Sequence, residues 1–460
     1  MYTNLIFTDI NMDLAVGRKI LFFIHILFII FSHNIHANFI RDEEIESFLH
    51  SIVDSLSAVA LPDDMKIDVL MVNDPSFNAF VLGGNTIYIN SGVFAKVMNC
   101  DQLAAILAHE LAHIKLGHVA RMSEQIRDAK KLLMLVYAGT TLLAVANKGN
   151  SMDSAAALWY GGGHMVQANI LHHSRTNEAA ADMNAVDYML STGYNPGEFI
   201  NLLQVMTKND SLSSTMNSYL STHPMNRERL EYIKSYFDSR DLPDRHFNKQ
   251  FNNKEKEHVF HKIKAKIEAF TGNIDIVKRK YSNDTCISKY AMSIVNYREG
   301  SVKEALDYLD LLLNSCYKND PYIYELKGNL FYSIGNVNKS KENYLTALQV
   351  LNSDAFLIKM ELAEALKSSS NLDNLDLAIE KLLGVIAIDA DNANAWYLLG
   401  EVYYNKGDKI DSYIALAEYS LLLNKREMVK HYINLAKKHN NGSNDYDVRI
   451  NEIEILLHNI

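Results

Sequence analysis

The sequence predicts a mainly α-helical chain with one small β-sheet, arranged as an α+β domain followed by an all-α helical-repeat domain. Three observations carry that prediction. Five of the six prolines (Pro62, Pro75, Pro196, Pro224 and Pro243) precede residue 250 and only Pro321 follows, so the C-terminal part is free to be helical almost throughout. A window from Lys66 to Phe94 is rich in β-branched and aromatic residues, the composition of strands. Beyond residue 285 a period of about 34 residues sets in, the length of a tetratricopeptide repeat.

The first 37 residues read as a targeting segment. From Met12, the basic pair Arg18-Lys19 precedes an apolar run from Ile20 to Phe31, and Ala37 stands before the acidic Asn38-Phe39-Ile40-Arg41-Asp42-Glu43-Glu44. That is the layout of a secretory signal, with Met12 as an alternative start and an apolar run too short to span a bilayer comfortably. Cleaved export is expected, and an uncleaved membrane anchor is the alternative. The 460 residues carry a net charge of −10, which leaves no basic footprint for nucleic acid. With 48% hydrophobic and 22% charged residues the chain can bury real cores.

Each element follows from local pattern. An amphipathic helix is expected from Arg41 to Val59, then three strands within residues 66–94, with Gly83-Gly84-Asn85 as a turn. A long helix begins at Cys100 and is expected to run to Met122. The apolar stretch Leu132–Ala146 is expected as a buried or lid-like helix, with peripheral membrane contact as the alternative, and Gly161-Gly162-Gly163 as a joint beside it. A second long helix ends at Gly193, just before Pro196. Polar residues from Asp238 to Glu257 read as linker. Gly328 and Gly335 repeat the seven-residue offset of Gly400 and Gly407, and Trp396, Leu399-Gly400 and Tyr403 have tetratricopeptide spacing. The expected division is a signal segment at 1–37, an α+β domain at 38–240, a linker and helical connection at 241–284, and helical repeats at 285–460.

The chemistry centres on His109-Glu110-Leu111-Ala112-His113. On a helix, histidines four apart project from one face and can share a zinc ion, while the glutamate between them serves as general base. A hydrolytic zinc needs a third protein ligand and one open position, and the candidate is Glu178 in Glu178-Ala179-Ala180-Ala181-Asp182. Asp182, one turn on, would hold a ligand histidine by its other ring nitrogen. The remaining nearby histidines, His118, His164, His172 and His173, are expected to be satisfied by packing or solvent. Strand Thr86-Ile87-Tyr88-Ile89-Asn90 is expected to offer an edge to an extended substrate.

Further motifs accompany that helix: Ser174-Arg175-Thr176-Asn177-Glu178 through Asp182, Asn78-Ala79-Phe80 through Asn90-Ser91-Gly92, and Thr222-His223-Pro224 with Arg229-Leu230. With them the chain resembles the gluzincin metallopeptidases that include HtpX and the CAAX prenyl proteases. The resemblance implies an α+β zincin-type metalloprotease domain with one Zn2+ per chain held by His109, His113 and Glu178, and Glu110 activating the water. It also implies His223 near the metal, either as oxyanion stabiliser or as reversible fourth ligand. Ala180 stands where a second acid is common, which removes no ligand. Together with the export segment and the repeats, the resemblance implies an envelope endopeptidase that degrades misfolded or stalled outer-membrane proteins. Its repeats would bind clients or the outer-membrane assembly machinery. The alternative is a chaperone-like assembly factor with a largely latent protease site.

The chain has three cysteines. In the repeat register, Cys286 falls at the start of a first helix and Cys316 at the end of a second, so the two fall side by side and could form a disulfide, leaving Cys100 free. Three unpaired thiols are the alternative.

Overall fold

The computed structural model describes residues 39–63, 65–118, 120–121, 175–209, 219, 223, 227–240, 254–351, 355–440 and 442–459. The signal segment, the apolar stretch 132–146, the triple glycine, His164, His172 and His173 lie outside the described residues. Among the described residues no helix is long and apolar enough to cross a membrane.

The Asp42 side chain caps the first helix, α1 (Glu43–Ala60), by accepting from the Ile45 amide at 3.0 Å. Ile45, Leu49, Ile52, Val53 and Leu56 recur at helical spacing and are buried, so one face of α1 enters the core. The sheet comprises β1 (Phe39–Ile40), β2 (Asp68–Val72), β3 (Ala79–Val81) and β4 (Thr86–Asn90), in the order β1-β2-β4-β3. Val69, Met71, Ile87 and Ile89 alternate along β2 and β4 and are fully buried, the pattern of a sheet with one face on a core.

Strand order corrects one expectation. β4 pairs with β2 in parallel and with β3 in antiparallel register, so the backbone of Thr86, Ile87, Tyr88, Ile89 and Asn90 is engaged on both sides. β4 therefore offers no edge to a substrate, and among the described residues the sheet ends at β1 on one side and β3 on the other.

After the short α2 (Gly92–Lys96) comes α3 (Cys100–Lys115), buried continuously from Gln102 to His113. It ends seven residues before Met122 because Gly117 adopts φ +63°, the left-handed conformation that stops a helix. Helix α4 covers residues 175–192, α5 Pro196–Asn209 and α6 Arg227–Asp238. Helix α7 (Lys254–Thr271) occupies the last four residues of the expected linker, its first turn carrying Glu255 and Glu257 at the favourable end of the helix dipole.

Five successive helix pairs follow among the described residues, spanning 286–314, 321–351, 356–388, 393–422 and 426–459. Cys286 and Cys316 are joined as a disulfide, with their α-carbons 6.2 Å apart, and Cys100 is buried and free. Residues Ile40–Ile460 form one unit, and buried charges stitch its two halves together. Lys262 of α7 pairs with Glu44 at 2.7 Å and with Asp320 of the repeats, while Lys266 pairs with Asp42 at 2.7 Å and Glu44 at 2.9 Å. Tyr290 of the first repeat donates to Glu44 at 2.7 Å. Burial raises the Glu44 pKa, but Lys262 and Lys266 outweigh it and hold the carboxyl at about 2.

Candidate metal centre

Helix α3 is fixed at its N-terminus before it delivers the histidines. The Asn99 side chain accepts from the Gln102 amide at 2.9 Å, and both the Asn99 and Gln102 amide groups donate to Glu198 of α5, at 2.7 and 2.9 Å. Two turns further on, His109 and His113 project from one face, as their spacing requires. Helix α4 crosses nearby and supplies Glu178 and Asp182, its buried Ala181 and Ala185 keeping the approach close.

The groups converge. One ligand atom from each of His109, His113, Glu178 and His223 lies within 4.8 Å of the others, and all four residues are buried. His109 Nε2 is 3.0 Å from His113 Nε2 and 3.2 Å from His223 Nδ1. Glu178 reaches His109 and His113 at 3.3 Å and His223 at 3.1 Å.

These distances test the fit of a metal. Ligands about 2.0–2.1 Å from a tetrahedral ion stand about 3.3 Å from one another, close to the 3.0–3.3 Å that separates His109 from His113 and His223, and the Glu178 carboxylate oxygens from each of the three histidines. Three imidazole nitrogens aimed at one another also have too few protons to satisfy all their lone pairs. The donor set of three nitrogens and one carboxylate oxygen therefore fits a metal ion.

Surrounding residues set the orientation of the four. His109 turns Nδ1 to Asp182 at 2.9 Å. Arg229 donates to both Asp182 oxygens, at 2.5 and 2.7 Å, and meets Glu178 at 2.9 Å. Burial opposes charge on both acids, yet His223 and the other imidazoles keep Glu178 well below the usual carboxylate range, and Arg229 does the same for Asp182. The same contest raises His109 to about 9, where hydrogen bonds to Asp182 and Glu178 outweigh burial. His113 falls to about 4, because burial wins there. Glu110, also pushed up by burial, has Oε1 3.3 Å from His223 Nε2. It thus stands beside the cluster.

Three residues have roles at the site that the sequence did not reveal. His118 places Nδ1 2.9 Å from His113 Nδ1 and is itself lowered to about 4, chiefly by burial. Tyr219 lies with its ring 4.7 Å from that of His223 and is fully buried. Arg229 bridges the two acids of α4, and its fixed place six residues after His223 was the only signal pointing to it.

Residues 40–236 match the model of Peptidase family M48, and residues 372–407 match a TPR repeat. The chain is 26% identical over 194 residues to the beta-barrel assembly-enhancing protease of Yersinia pestis and 25% identical over 194 residues to that of Escherichia coli K12. Each match covers 42% of this chain and 39% of the relative. Identity to the mitochondrial metalloendopeptidase OMA1 of Schizosaccharomyces pombe is 27% over 191 residues, 41% of this chain and 52% of the relative. The chain thus spans about two-fifths to about half of the length of these curated relatives. The converging histidines and Glu178 lie inside the span that is similar to Peptidase family M48, and the span similar to a TPR repeat follows it in the chain.

Proposed function

We propose that the chain is an exported, periplasmic zinc endopeptidase that degrades misfolded or stalled outer-membrane proteins. Its repeats would dock clients or the outer-membrane assembly machinery. The observation that carries this reading is the buried cluster of His109, His113, Glu178 and His223 with Glu110 beside it. Relatives whose names join protease to β-barrel assembly support the choice of client.

His109, His113 and Glu178 would hold the zinc, which supplies Lewis acidity and a more acidic bound water. Glu110 takes a proton from the attacking water and returns it to the leaving amine. Asp182 and Arg229 keep His109 and Glu178 in their orientations, and His223 is assigned as a reversible fourth ligand, because its Nδ1 stands among the other donors and must withdraw to open the position for water. An extended client would add to the terminal strand β3, whose main chain accepts many sequences but requires an unfolded one.

The test measures bound zinc by elemental analysis and cleavage of denatured outer-membrane protein, for wild type and Glu110→Gln. Zinc in both with cleavage only in wild type is the expected result. Zinc without Glu110-dependent cleavage would favour the chaperone-like assembly factor instead. Replacing His223 by Ala should leave zinc bound and raise basal cleavage, while a fall would return His223 to the oxyanion role.

A further inference from the structure

His109 and His113 both turn Nε2 to the centre of the cluster, and each leaves Nδ1 facing outward. For His109 the outward partner is Asp182, at 2.9 Å. For His113 it is His118, whose Nδ1 lies 2.9 Å from His113 Nδ1. We propose that His118 is the positioning residue for His113, accepting its Nδ1 proton and so fixing the tautomer that presents the Nε2 lone pair to the metal. The proposal rests on the metal-centre reading above.

Backbone geometry makes this contact a product of design in the chain rather than of sequence proximity. In an unbroken helix, residues five apart point about 140° away from each other, so His118 could not reach His113. Helix α3 stops at Lys115, and Gly117 at φ +63° turns the chain back. That turn carries His118 into a buried position against the His113 ring, with ring centroids 4.9 Å apart. Neutral imidazole has one donor and one acceptor nitrogen, so two Nδ1 atoms at this distance admit one proton between them. With His113 Nε2 reserved for the metal, the proton belongs to His113 Nδ1, and His118 must accept. The partner on an outward ring nitrogen fixes ring orientation and makes the imidazole a stronger ligand.

The experiment compares zinc dissociation constants, by chelator competition, for full-length wild type, His118→Phe and His118→Asn, together with the absorption bands of the cobalt(II) forms. Phe keeps the ring volume without an acceptor, whereas the Asn Oδ1 occupies the place of Nδ1. We expect the Phe variant to lose about 10- to 100-fold in zinc affinity with altered cobalt bands, and the Asn variant to stay within about threefold of wild type with unchanged bands. Wild-type affinity in the Phe variant, or equal loss in both, overturns the assignment of His118 alone. Should the Phe variant not fold, weakened zinc binding or shifted cobalt bands in the Asn variant still overturns it. No zinc binding by wild type overturns the metal-centre reading itself.

Discussion

In the metal centre, His109 and His223 meet at 3.2 Å across 114 positions of sequence, and every group there is polar and buried. In the repeats, each helix packs on its neighbours in the chain, and the same contact recurs: Ser340 donates to the Gly328 carbonyl at 2.9 Å, and Ser412 to that of Gly400 at 2.8 Å. The comparison teaches where damage should travel. A centre of mutually dependent polar groups fails as a unit when one is removed, whereas stacked pairs lose stability locally and in increments.

The largest effect should come from Glu178→Ala. It removes a donor facing all three histidines, so zinc content should fall to background and cleavage should disappear, while circular dichroism of the helical repeats stays unchanged. Elemental analysis together with a cleavage assay checks this. Full zinc occupancy in the variant would break the claim of mutual dependence.

Acid should act next, and at the junction rather than at either region. The folded pKa of Glu44 is about 2, below the ordinary 4.5, so its stabilising effect is complete above pH 4.5 and fades as pH falls towards 2. On the order of 3 kcal/mol is at stake for a shift of that size. Melting curves between pH 6 and 2 should decline more steeply for wild type than for Glu44→Gln. Parallel curves would remove the buried charges from the account of how the halves are joined.

Asp182→Asn sharpens the first test. Asp182 contacts His109 and Arg229, not the converging atoms, so metal affinity should fall about 10- to 100-fold without being abolished. Chelator competition reads it, and unchanged affinity would confine Asp182 to packing.

What the sequence made legible divides along the same line. His109, His113, Glu178 and Asp182 could be found because helical spacing alone puts each pair on one face. The register of Gly300, Gly335 and Gly407 likewise set Cys286 beside Cys316. Contacts made only by folding were hidden. Strand composition marked Thr86–Asn90 but carried no information on strand order, so a central strand was read as an edge. Lys262 and Lys266 sit in a charged stretch that suggests solvent, and they become buried only where Asp42, Glu44 and Asp320 close over them. His118 reads in sequence as one more helical histidine satisfied by packing or solvent, and only the break at Gly117 brings it against His113.

The smallest expected effect separates two glycines that look equivalent in the repeat register. A Cβ on Gly328 would meet Tyr344 ring atoms at 2.7, 2.8 and 3.0 Å, and one on Gly400 would meet Leu416 Cγ at 2.7 Å and Cδ2 at 2.9 Å. The clashes are of similar size, but the neighbours differ in freedom. Tyr344 is 1% exposed and its hydroxyl donates to Asn329 at 2.6 Å, so the ring has nowhere to go. Leu416 is half-buried and can change rotamer. Replacing Gly by Ala within a helix contributes about 1 kcal/mol through propensity, against an overpacking cost of about 1–3 kcal/mol. With the pinned Tyr344 ring at the upper part of that overpacking range, Gly328→Ala should lower stability by about 1–2 kcal/mol, whereas with the movable Leu416 at the lower end, Gly400→Ala should be within about 0.5 kcal/mol of wild type. Neither should alter bound zinc. Denaturant melts of the two variants decide it: equal losses would mean that the repeats respond to volume alone, and a change in zinc content would mean that the repeats and the metal centre are not independent.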